Sequence, residues 1–522
     1  MLTELLLFLS VSLALTLALT LALNSIQSRN ARLKFKKSLK GVPFLDKDVG
    51  WFSNNLLALG TGQNSQLIHK RHMELGDTLG AMIGIQPTIS TIDLDLIKHV
   101  CLDKASKNIN RIRIDLPMKE YENDCLLFAQ DDQWRRIRKS FAPALKPAQI
   151  KTPNVVGEVE SSIEQLLGGI DRELERGNSV FNMDDLMHRF SLNIVMGCFY
   201  KQYNQINFDL SQADHWVEMI DRGIEEFGHS KAIIFALIIP AFRHVIDFVV
   251  YHLHPHGKWR SNVLAFVKRQ ARLGFEARKQ LAELKRQNPN QDENNFTLKD
   301  GSEFHRNIAD HIVDQFHAGK LSTNEFFNSS AFLFAAGDKT AADALVFTLY
   351  NLAINKEMQE KLRQSIKQDG DQSEYLLWVL YESLRLSPPA PGGPSRILSE
   401  EVKLEKFGVT LAKGTNFYTP LYTIHRLKRY WGEDAEEFKP ERWANEEQFH
   451  PCQFMPFGAG LRTCLGQNFA KQEIKLLLCA LLKRYEFHCP KPKDDLDDFC
   501  SPLTVFLLHK SPFNLEITRL KE

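Results

Sequence analysis

The segment 457–466, FGAGLRTCLG, constrains this chain of 522 residues more than any other stretch. It sets a thiol, Cys464, and a cation, Arg462, among glycines at positions 458, 460 and 466. Glycine lets a backbone approach a flat neighbour that a Cβ would strike, so the segment predicts a loop that displays Cys464 to a large ligand. The commoner role of a lone cysteine is structural, because thiol reactivity needs an electropositive neighbour or a metal.

The overall composition excludes several classes of protein. With 65 Lys and Arg against 64 Asp and Glu, the chain has no net field that would favour nucleic acid as a partner. Its eight cysteines contain no CxxC pair, which argues against a zinc ribbon, and they are too sparse for a disulfide scaffold. A hydrophobic content of 43% supports a large core, and no shift in composition marks a second domain.

The N-terminus predicts a membrane anchor. Residues 5–23 carry no charge and include ten leucines, enough to cross a hydrocarbon core of about 30 Å as a helix. The only charged side chain before this run is that of Glu4, whereas several Arg and Lys residues lie within positions 29–40. This distribution of positive charge predicts that the following chain stays in the cytosol. We therefore expect residues 1–28 to be an uncleaved single-pass anchor and residues 29–522 to form one domain. The alternative is a cleaved secretory peptide.

Local patterns predict several further elements. Alternation over residues 78–92 predicts a hairpin around Gln86-Pro87, and the polar stretch 280–302 predicts an internal loop. A capping-box pattern, Ser322-Thr-Asn-Glu325, opens a long and mostly apolar helix. The apolar segment 232–239 is too short to span a membrane but suits its interface, although a core helix is an equal interpretation.

Residues 457–466 match in full the FxxGxRxCxG haem-binding signature of the cytochrome P450 family, which the chain therefore resembles. The resemblance implies a mainly α fold with a small β-rich lobe after the transmembrane helix, and haem b (iron protoporphyrin IX) as the cofactor. Cys464 would be the axial ligand of the iron, since a thiolate there pushes electron density that favours O–O cleavage. Arg462 would neutralise a haem propionate, while Phe457, Gly458 and Gly466 would let the loop lie against the porphyrin.

A second pair of motifs resembles the structural core of that family. Glu382 and Arg385 match its ExxR element, and their i, i+3 spacing places both on one helix face. Arg442, in the segment FKPERW, matches the arginine that completes a buried triad with them in the family. The resemblance thus implies an architectural triad, whereas the pair taken alone would be an ordinary solvated salt bridge.

Other basic residues resemble the family's propionate ligands. Trp134 and Arg138 match its WxxxR helix, in which an indole N–H and a guanidinium bind a carboxylate. Arg396 resembles an arginine that many members place on the strand after the ExxR helix, and Arg111 is a weaker candidate of the same kind. The alternative for each is a basic residue on a solvated surface.

Residues 336–340, AGDKT, resemble the oxygen-side centre AGx(D/E)T of the family's long helix. There Ala336 and Gly337 would border a groove for dioxygen, and Thr340 would help to deliver protons. The family usually carries a carboxylate directly before the threonine, but this chain has Lys339 there and Asp338 one residue earlier. From the sequence we expect that Lys339→Glu would leave coupling equal or better.

Taken together, the motifs imply a monooxygenase that inserts one atom of dioxygen into a lipophilic substrate of the steroid, fatty-acid or xenobiotic class. The expected electron donor is NADPH-cytochrome P450 reductase, which would meet a basic face containing Arg136, Lys139 and Lys471, and the expected location is the endoplasmic reticulum membrane, with membrane lipid as a further partner. Two alternatives stay open: a reductase-independent isomerase or dehydratase of fatty-acid peroxides, and a haem-binding protein without turnover.

Overall fold

The computed structural model describes residues 26–27, 29–45, 64–83, 86–111, 124–200, 206–218, 255–291, 296–297, 306–490 and 513–521. Within those ranges no helix is both long enough and apolar enough to cross a membrane. The predicted anchor run 5–23 and the segment 232–239 lie outside the described residues.

The described chain is mainly helical. In chain order the α-helices are α1 (29–38), followed by α2 (Asn64–Leu75), α3 (Leu94–Lys98), α4 (Asp131–Phe141), α5 (Pro147–Ile150), α6 (Pro153–Glu175), α7 (Met183–Tyr200), α8 (Pro255–Gln287), α9 (Ile308–His317), α10 (Thr323–Ile354), α11 (Lys356–Asp369), α12 (Glu374–Leu386), α13 (Leu421–Ile424), α14 (Lys428–Trp431) and α15 (Gln467–Arg484).

Short strands form three small sheets among the described residues. The strands are β1 (Thr78–Ile83), β2 (Gln86–Thr91), β3 (Val180–Asn182), β4 (Ser395–Ile397), β5 (Val402–Leu404), β6 (Val409–Leu411), β7 (Asn416–Tyr418), β8 (Tyr485–His488) and β9 (Asn514–Arg519). The sheet orders are β1-β2-β7-β4, β3-β9-β8 and β5-β6. In the first sheet only the β2–β7 pairing is parallel.

Helix α10 runs through the centre of the helical part. It begins with the predicted capping box, in which Ser322 and Glu325 each accept from the other's backbone N–H. Its second half is apolar and buried on most sides, as Leu345, Phe347 and Leu349 illustrate. Helix α10 packs against α7, α8, α12 and α15. A central helix surrounded in this way explains why its sequence shows little amphipathic periodicity.

Two local predictions need correction. The hairpin at 78–92 is present, but the chain reverses between Ile83 and Gln86, so Gln86 and Pro87 begin β2 instead of forming the turn. The predicted loop 280–302 is wrong at its start, because α8 continues to Gln287. That part of α8 is polar yet helical, and Leu281 and Leu284 pack with Phe296 on its one buried side.

Candidate active site

The loop carrying Cys464 is shaped by two left-handed glycines. Gly458 and Gly460 have φ of 79° and 65°, and the Cys464 N–H donates to Phe457 O at 2.8 Å. A Cβ on Gly460 would lie 2.1 Å from Cys101 O, so this glycine is needed for packing against protein and not against a ligand. A Cβ on Gly466 would meet no atom within 4 Å, which leaves open space beside the thiol.

Cys464 lies in the loop just before α15 begins at Gln467. Its side chain is exposed, yet enough protein surrounds it that burial raises the thiol pKa. Backbone N–H groups of Gly466 and Gln467, together with Arg138 and Arg111, oppose that rise. These are the donors and charges that stabilise a thiolate, and the N-terminal end of α15 adds its helix dipole.

The four predicted propionate arginines converge on this loop. Each donates to a main-chain carbonyl in or beside it: Arg396 Nη2 to Ala459 O at 2.7 Å, Arg138 Nη1 to Thr463 O at 2.8 Å, Arg111 Nη2 to Arg462 O at 3.4 Å, and Arg462 Nε to Ile109 O at 2.7 Å. Arg462 also lies over the Trp134 ring, with 4.3 Å between Cζ and the ring centroid.

The cluster of Arg111, Arg138, Arg396 and Arg462 is short of negative charge. Within the described part of the chain no carboxylate pairs with any of them. Burial and the neighbouring arginines lower the pKa of Arg462 to about 8 and that of Arg111 to about 10, and burial also lowers the pKa values of Arg138 and Arg396. Buried cations are normally paired, so the site suits a ligand that brings carboxylates of its own. Haem, with two propionates and an iron that takes a thiolate, fits these residues.

Glu382, Arg385 and Arg442 meet in a buried triad. Arg385 Nε and Nη2 donate to the two oxygens of Glu382, each at 2.9 Å, and Arg442 Nε donates to Oε1 at 2.8 Å. Glu382 and Arg385 are both 0% exposed. Trp443 Nε1 and the Lys439 N–H add further donors to Glu382. The triad thereby joins α12 to the segment 439–443.

The AGDKT turn of α10 divides into two sides. On one side the Thr340 hydroxyl donates to Ala336 O at 2.7 Å, and both residues are partly exposed. On the other side Asp338 is buried and its Oδ2 lies 3.2 Å from His188 Nδ1 on α7. A Cβ on Gly337 would lie 3.1 Å from Val195 Cγ2, so this glycine also permits close contact of α10 with α7.

Three buried ionisable residues near this turn were missed by sequence reasoning: His188, Asp343 and Glu473. Asp343 Oδ1 accepts from Lys339 Nζ at 2.7 Å. Burial raises the pKa of Glu473 on α15 well above its usual range, and Asp338 raises it further. Only the i, i+4 spacing of Lys339 and Asp343 could have been recognised in advance, because the other contacts join distant helices.

Two of the three cations of the predicted basic face, Arg136 and Lys471, contact other side chains. Lys139 is exposed, but Arg136 pairs with the Glu325 carboxylate at the start of α10. Lys471 donates to the Tyr381 hydroxyl at 2.7 Å and lies 5.4 Å from the Phe457 ring centroid, next to the thiol loop. Of the three cations, Lys471 is the one with a described contact to the thiol loop.

Comparisons with known proteins agree with this geometry. The cytochrome P450 family model matches residues 46–517. Among curated proteins, the chain is 28% identical to cytochrome P450 3A28 of Bos taurus, over 79% of this chain and 78% of that protein. It is 26% identical to the putative cytochrome P450 cyp-13B1 of Caenorhabditis elegans, over 80% of this chain and 83% of that protein. It is 25% identical to cytochrome P450 3A27 of Oncorhynchus mykiss, over 79% and 77%.

Proposed function

The chain belongs to the cytochrome P450 family, and from that premise we propose that it inserts one atom of dioxygen into a lipophilic substrate of the steroid, fatty-acid or xenobiotic class. Family membership makes the chain a haem monooxygenase, an oxidoreductase that uses dioxygen and takes electrons from a redox partner. The observation that carries the proposal is the exposed Cys464 thiol in a loop on which four arginines converge, two buried and two partly exposed, with no carboxylate partner among the described residues.

The residues of this site would have different roles toward the haem. Haem b held here would supply the oxygen-activating chemistry. Cys464 would ligate its iron as a thiolate, since metal coordination deprotonates a thiol. Arg111, Arg138, Arg396 and Arg462, with the Trp134 indole, would hold the propionates, and Gly458, Gly466 and Phe457 would line the loop. Glu382, Arg385 and Arg442 would maintain the fold around it.

On the oxygen side, the Thr340 hydroxyl would position a water that supplies protons. Its Oγ1 donates to Ala336 O one turn earlier, which leaves the oxygen lone pairs free to accept from a water in the groove beside Ala336 and Gly337. Positioned proton transfer of this kind contributes typically 10²–10⁴-fold. Asp338, which sequence reasoning placed with these residues, has its carboxylate turned to His188 on α7.

The electron donor we propose is NADPH-cytochrome P450 reductase, docking at the face that contains Arg136, Lys139 and Lys471. Support comes from Lys139, an exposed cation on α4, the helix that also contributes Trp134 and Arg138 to the thiol site. Lys139→Glu should raise the reductase concentration needed for half-maximal reduction, more so at low salt. If Lys139→Glu were reduced at the same rate as the wild type at every salt concentration, the proposed docking face would be wrong.

We also propose that residues 1–28 anchor the single domain 29–522 to the endoplasmic reticulum membrane, with the domain in the cytosol. The uncharged run 5–23 and the basic residues after it support this topology. Removing residues 1–28 should leave haem binding intact, because the anchor contributes to location and not to the core. A truncated chain that cannot bind haem would contradict this division.

NADPH dependence tests the proposed reaction. A lipophile panel is first screened for shifts of the haem spectrum, and a binding compound is then incubated with the full chain and reductase, with and without NADPH. We expect product only with NADPH, and Thr340→Ala should keep the haem spectrum but divert electrons into hydrogen peroxide. Conversion of a fatty-acid peroxide without NADPH, equal in both proteins, would instead establish an isomerase or dehydratase.

A further inference from the structure

Helix α1 packs against the first sheet through one face. Phe35 and Leu39, one turn apart, are buried, and a Cβ on Gly80 of β1 would lie 2.4 Å from Leu39 Cδ1. The rings of Phe35 and Phe44 meet edge to face, with 6.1 Å between their centroids. The two residues that flank Phe44 each form a backbone hydrogen bond with Gly80. Helix α1 is therefore attached to β1 and belongs to the folded domain.

The opposite face of α1 is exposed and basic. Arg29, Leu33 and Lys37 follow i, i+4, i+8 spacing and form one line along the helix, with Lys34 beside it. All four side chains are exposed, and Leu33 is exposed by 54%. Among the residues that the structure describes, no carboxylate pairs with Arg29, Lys34 or Lys37. These four residues are called the outward face of α1 below.

The positive charge around α1 is a local feature of the chain. Six Arg and Lys residues lie within positions 29–40, and no Asp or Glu lies between Glu4 and Asp46, although the whole chain is nearly neutral. The helix dipole does not explain all of these cations. It favours cations at the C-terminal end of a helix, whereas Arg29 lies at the N-terminal end, where a cation is unfavourable. The outward face therefore suits a negatively charged partner.

The position of α1 in the chain indicates which partner. The uncharged run ends at residue 23, and α1 begins six residues later. A fully extended chain of that length spans only about 20 Å, so an inserted anchor would keep α1 close to the membrane surface. Anionic lipids of the cytoplasmic leaflet attract Lys and Arg over about one Debye length, which is about 8 Å at physiological salt. The exposed Leu33 among the cations suits the boundary between headgroups and acyl chains.

We propose that the outward face of α1 binds anionic phospholipid headgroups, an inference that rests on the membrane anchor proposed above. Arg29, Lys34 and Lys37 donate to headgroup phosphates and carboxylates, and Leu33 enters the layer between them. Because Phe35 on the other face packs against the sheet, this contact holds the domain in one orientation at the membrane. An anchor joined by a free linker would leave that orientation open.

Hydrogen exchange of residues 29–40 tests this contact in the full chain with haem, inserted in nanodiscs. One preparation contains phosphatidylcholine alone, and the other contains phosphatidylcholine with phosphatidylserine. A ligand that binds the folded helix opposes its local opening. Amides of α1 should therefore exchange roughly tenfold or more slowly in the phosphatidylserine discs. The difference should disappear at about 1 M salt, where the Debye length is only about 3 Å.

Charge variants separate lipid binding from a general effect of the disc. Lys34→Gln/Lys37→Gln should lose most of the response to phosphatidylserine, whereas Lys34→Arg/Lys37→Arg should keep it. The matched control is Lys356→Gln/Lys367→Gln, which removes two exposed lysines from α11, a helix that packs against α12 and α15. This control should respond to phosphatidylserine as the wild type does, and haem content should be the same in all the variants.

The possible failures are distinguishable. Equal exchange of α1 in both kinds of disc, from a chain inserted in both, would overturn the lipid contact and leave the anchor standing. A chain that phosphatidylcholine discs do not retain would refute the anchor, and the lipid contact falls with it. Slowing by added reductase but not by phosphatidylserine would make the outward face a protein interface and overturn the proposal. Equal slowing by soluble glycerophosphoserine in phosphatidylcholine discs would also overturn it, because no membrane surface would be needed.

Discussion

Gly460 and Gly466 flank the same thiol but meet different neighbours. Gly460 has φ of 65° and its α-carbon lies so close to Cys101 O that a Cβ would be 2.1 Å from that oxygen. Gly466 has φ of −86°, which any residue can adopt, and a Cβ there would meet no atom of the chain within 4 Å. Protein packing explains the first glycine, whereas the open side of the loop is where the proposed cofactor would lie.

Alanine at Gly460 should therefore reduce stability, whereas alanine at Gly466 should reduce haem affinity. Gly460→Ala combines a strained φ with a backbone clash, so we expect it to lower the free energy of unfolding by more than about 1 kcal/mol. Gly466→Ala should leave the unfolding of the haem-free chain nearly unchanged but reduce haem affinity. Unfolding midpoints and haem titrations check both, and equal haem affinity of Gly466→Ala and wild type would contradict the placement of the cofactor.

At the residue scale, the sequence indicates which side chains lie together when local spacing alone decides it. Cys464 and Arg462 are separated by one residue and therefore lie in one loop, and Glu382 and Arg385 share a helix turn. It could not find His188, because the contact with Lys339 joins residues 151 positions apart on two helices. Nor could it show that Gly460 contacts Cys101, which depends on how a distant segment packs.

At the scale of elements, the Glu382 carboxylate is the junction between α12 and the segment 439–443. It accepts from two arginines, one indole and one backbone N–H, while Arg385 also donates to the carbonyls of His425 and Ala435. A buried charge network that is completely paired fixes the geometry of the elements that it joins.

Breaking this junction should prevent holoprotein formation. Glu382→Ala leaves the buried Arg385 without its carboxylate, and Arg385→Ala leaves Glu382 with the cation of Arg442 alone; breaking a buried ion pair costs about 3–5 kcal/mol. The exposed pair Lys361–Glu441 offers the control, since Lys361→Ala should cost about 0–1 kcal/mol. Haem content per chain after purification measures the outcome, and normal haem content in both triad variants would contradict a structural role.

The neutral side chain of His72 connects helix α2 to strand β2 of the first sheet. His72 Nδ1 donates to Gly76 O at 2.9 Å, and Nε2 lies 2.8 Å from Ser90 Oγ on β2. Because the carbonyl can only accept, the proton sits on Nδ1 and Nε2 accepts from the serine. Burial, the largest influence, lowers the pKa of His72 to about 4.

The histidine should make stability depend on pH in one direction. Between pH 4 and 6.5 the unfolded chain binds more protons at this residue than the folded chain, so its contribution is present above pH 6.5 and lost as pH falls towards 4. At pH 5 the loss is about 2 kcal/mol. Denaturant unfolding at pH 7 and pH 5 checks this: His72→Gln should lose less stability than wild type on acidification, and parallel losses would refute the assignment.

At the scale of the whole molecule, the described chain is a helical assembly around α10 with small sheets at its periphery. Sequence motifs anticipated a mainly helical fold with a small β-rich part. They did not anticipate the extent of α8, whose polar residues continue as helix to Gln287. Polar composition distinguishes exposed from buried segments more reliably than it distinguishes loop from helix.

The central claim is that Cys464 binds haem iron as a thiolate, and the reduced, carbon monoxide-bound spectrum tests it most directly. We expect the full chain to show the red-shifted Soret band of thiolate ligation. Cys464→Ser removes the sulfur while keeping the loop and its glycines, so the band should disappear even if haem is retained through the arginines. The same red-shifted band in Cys464→Ser would contradict the claim.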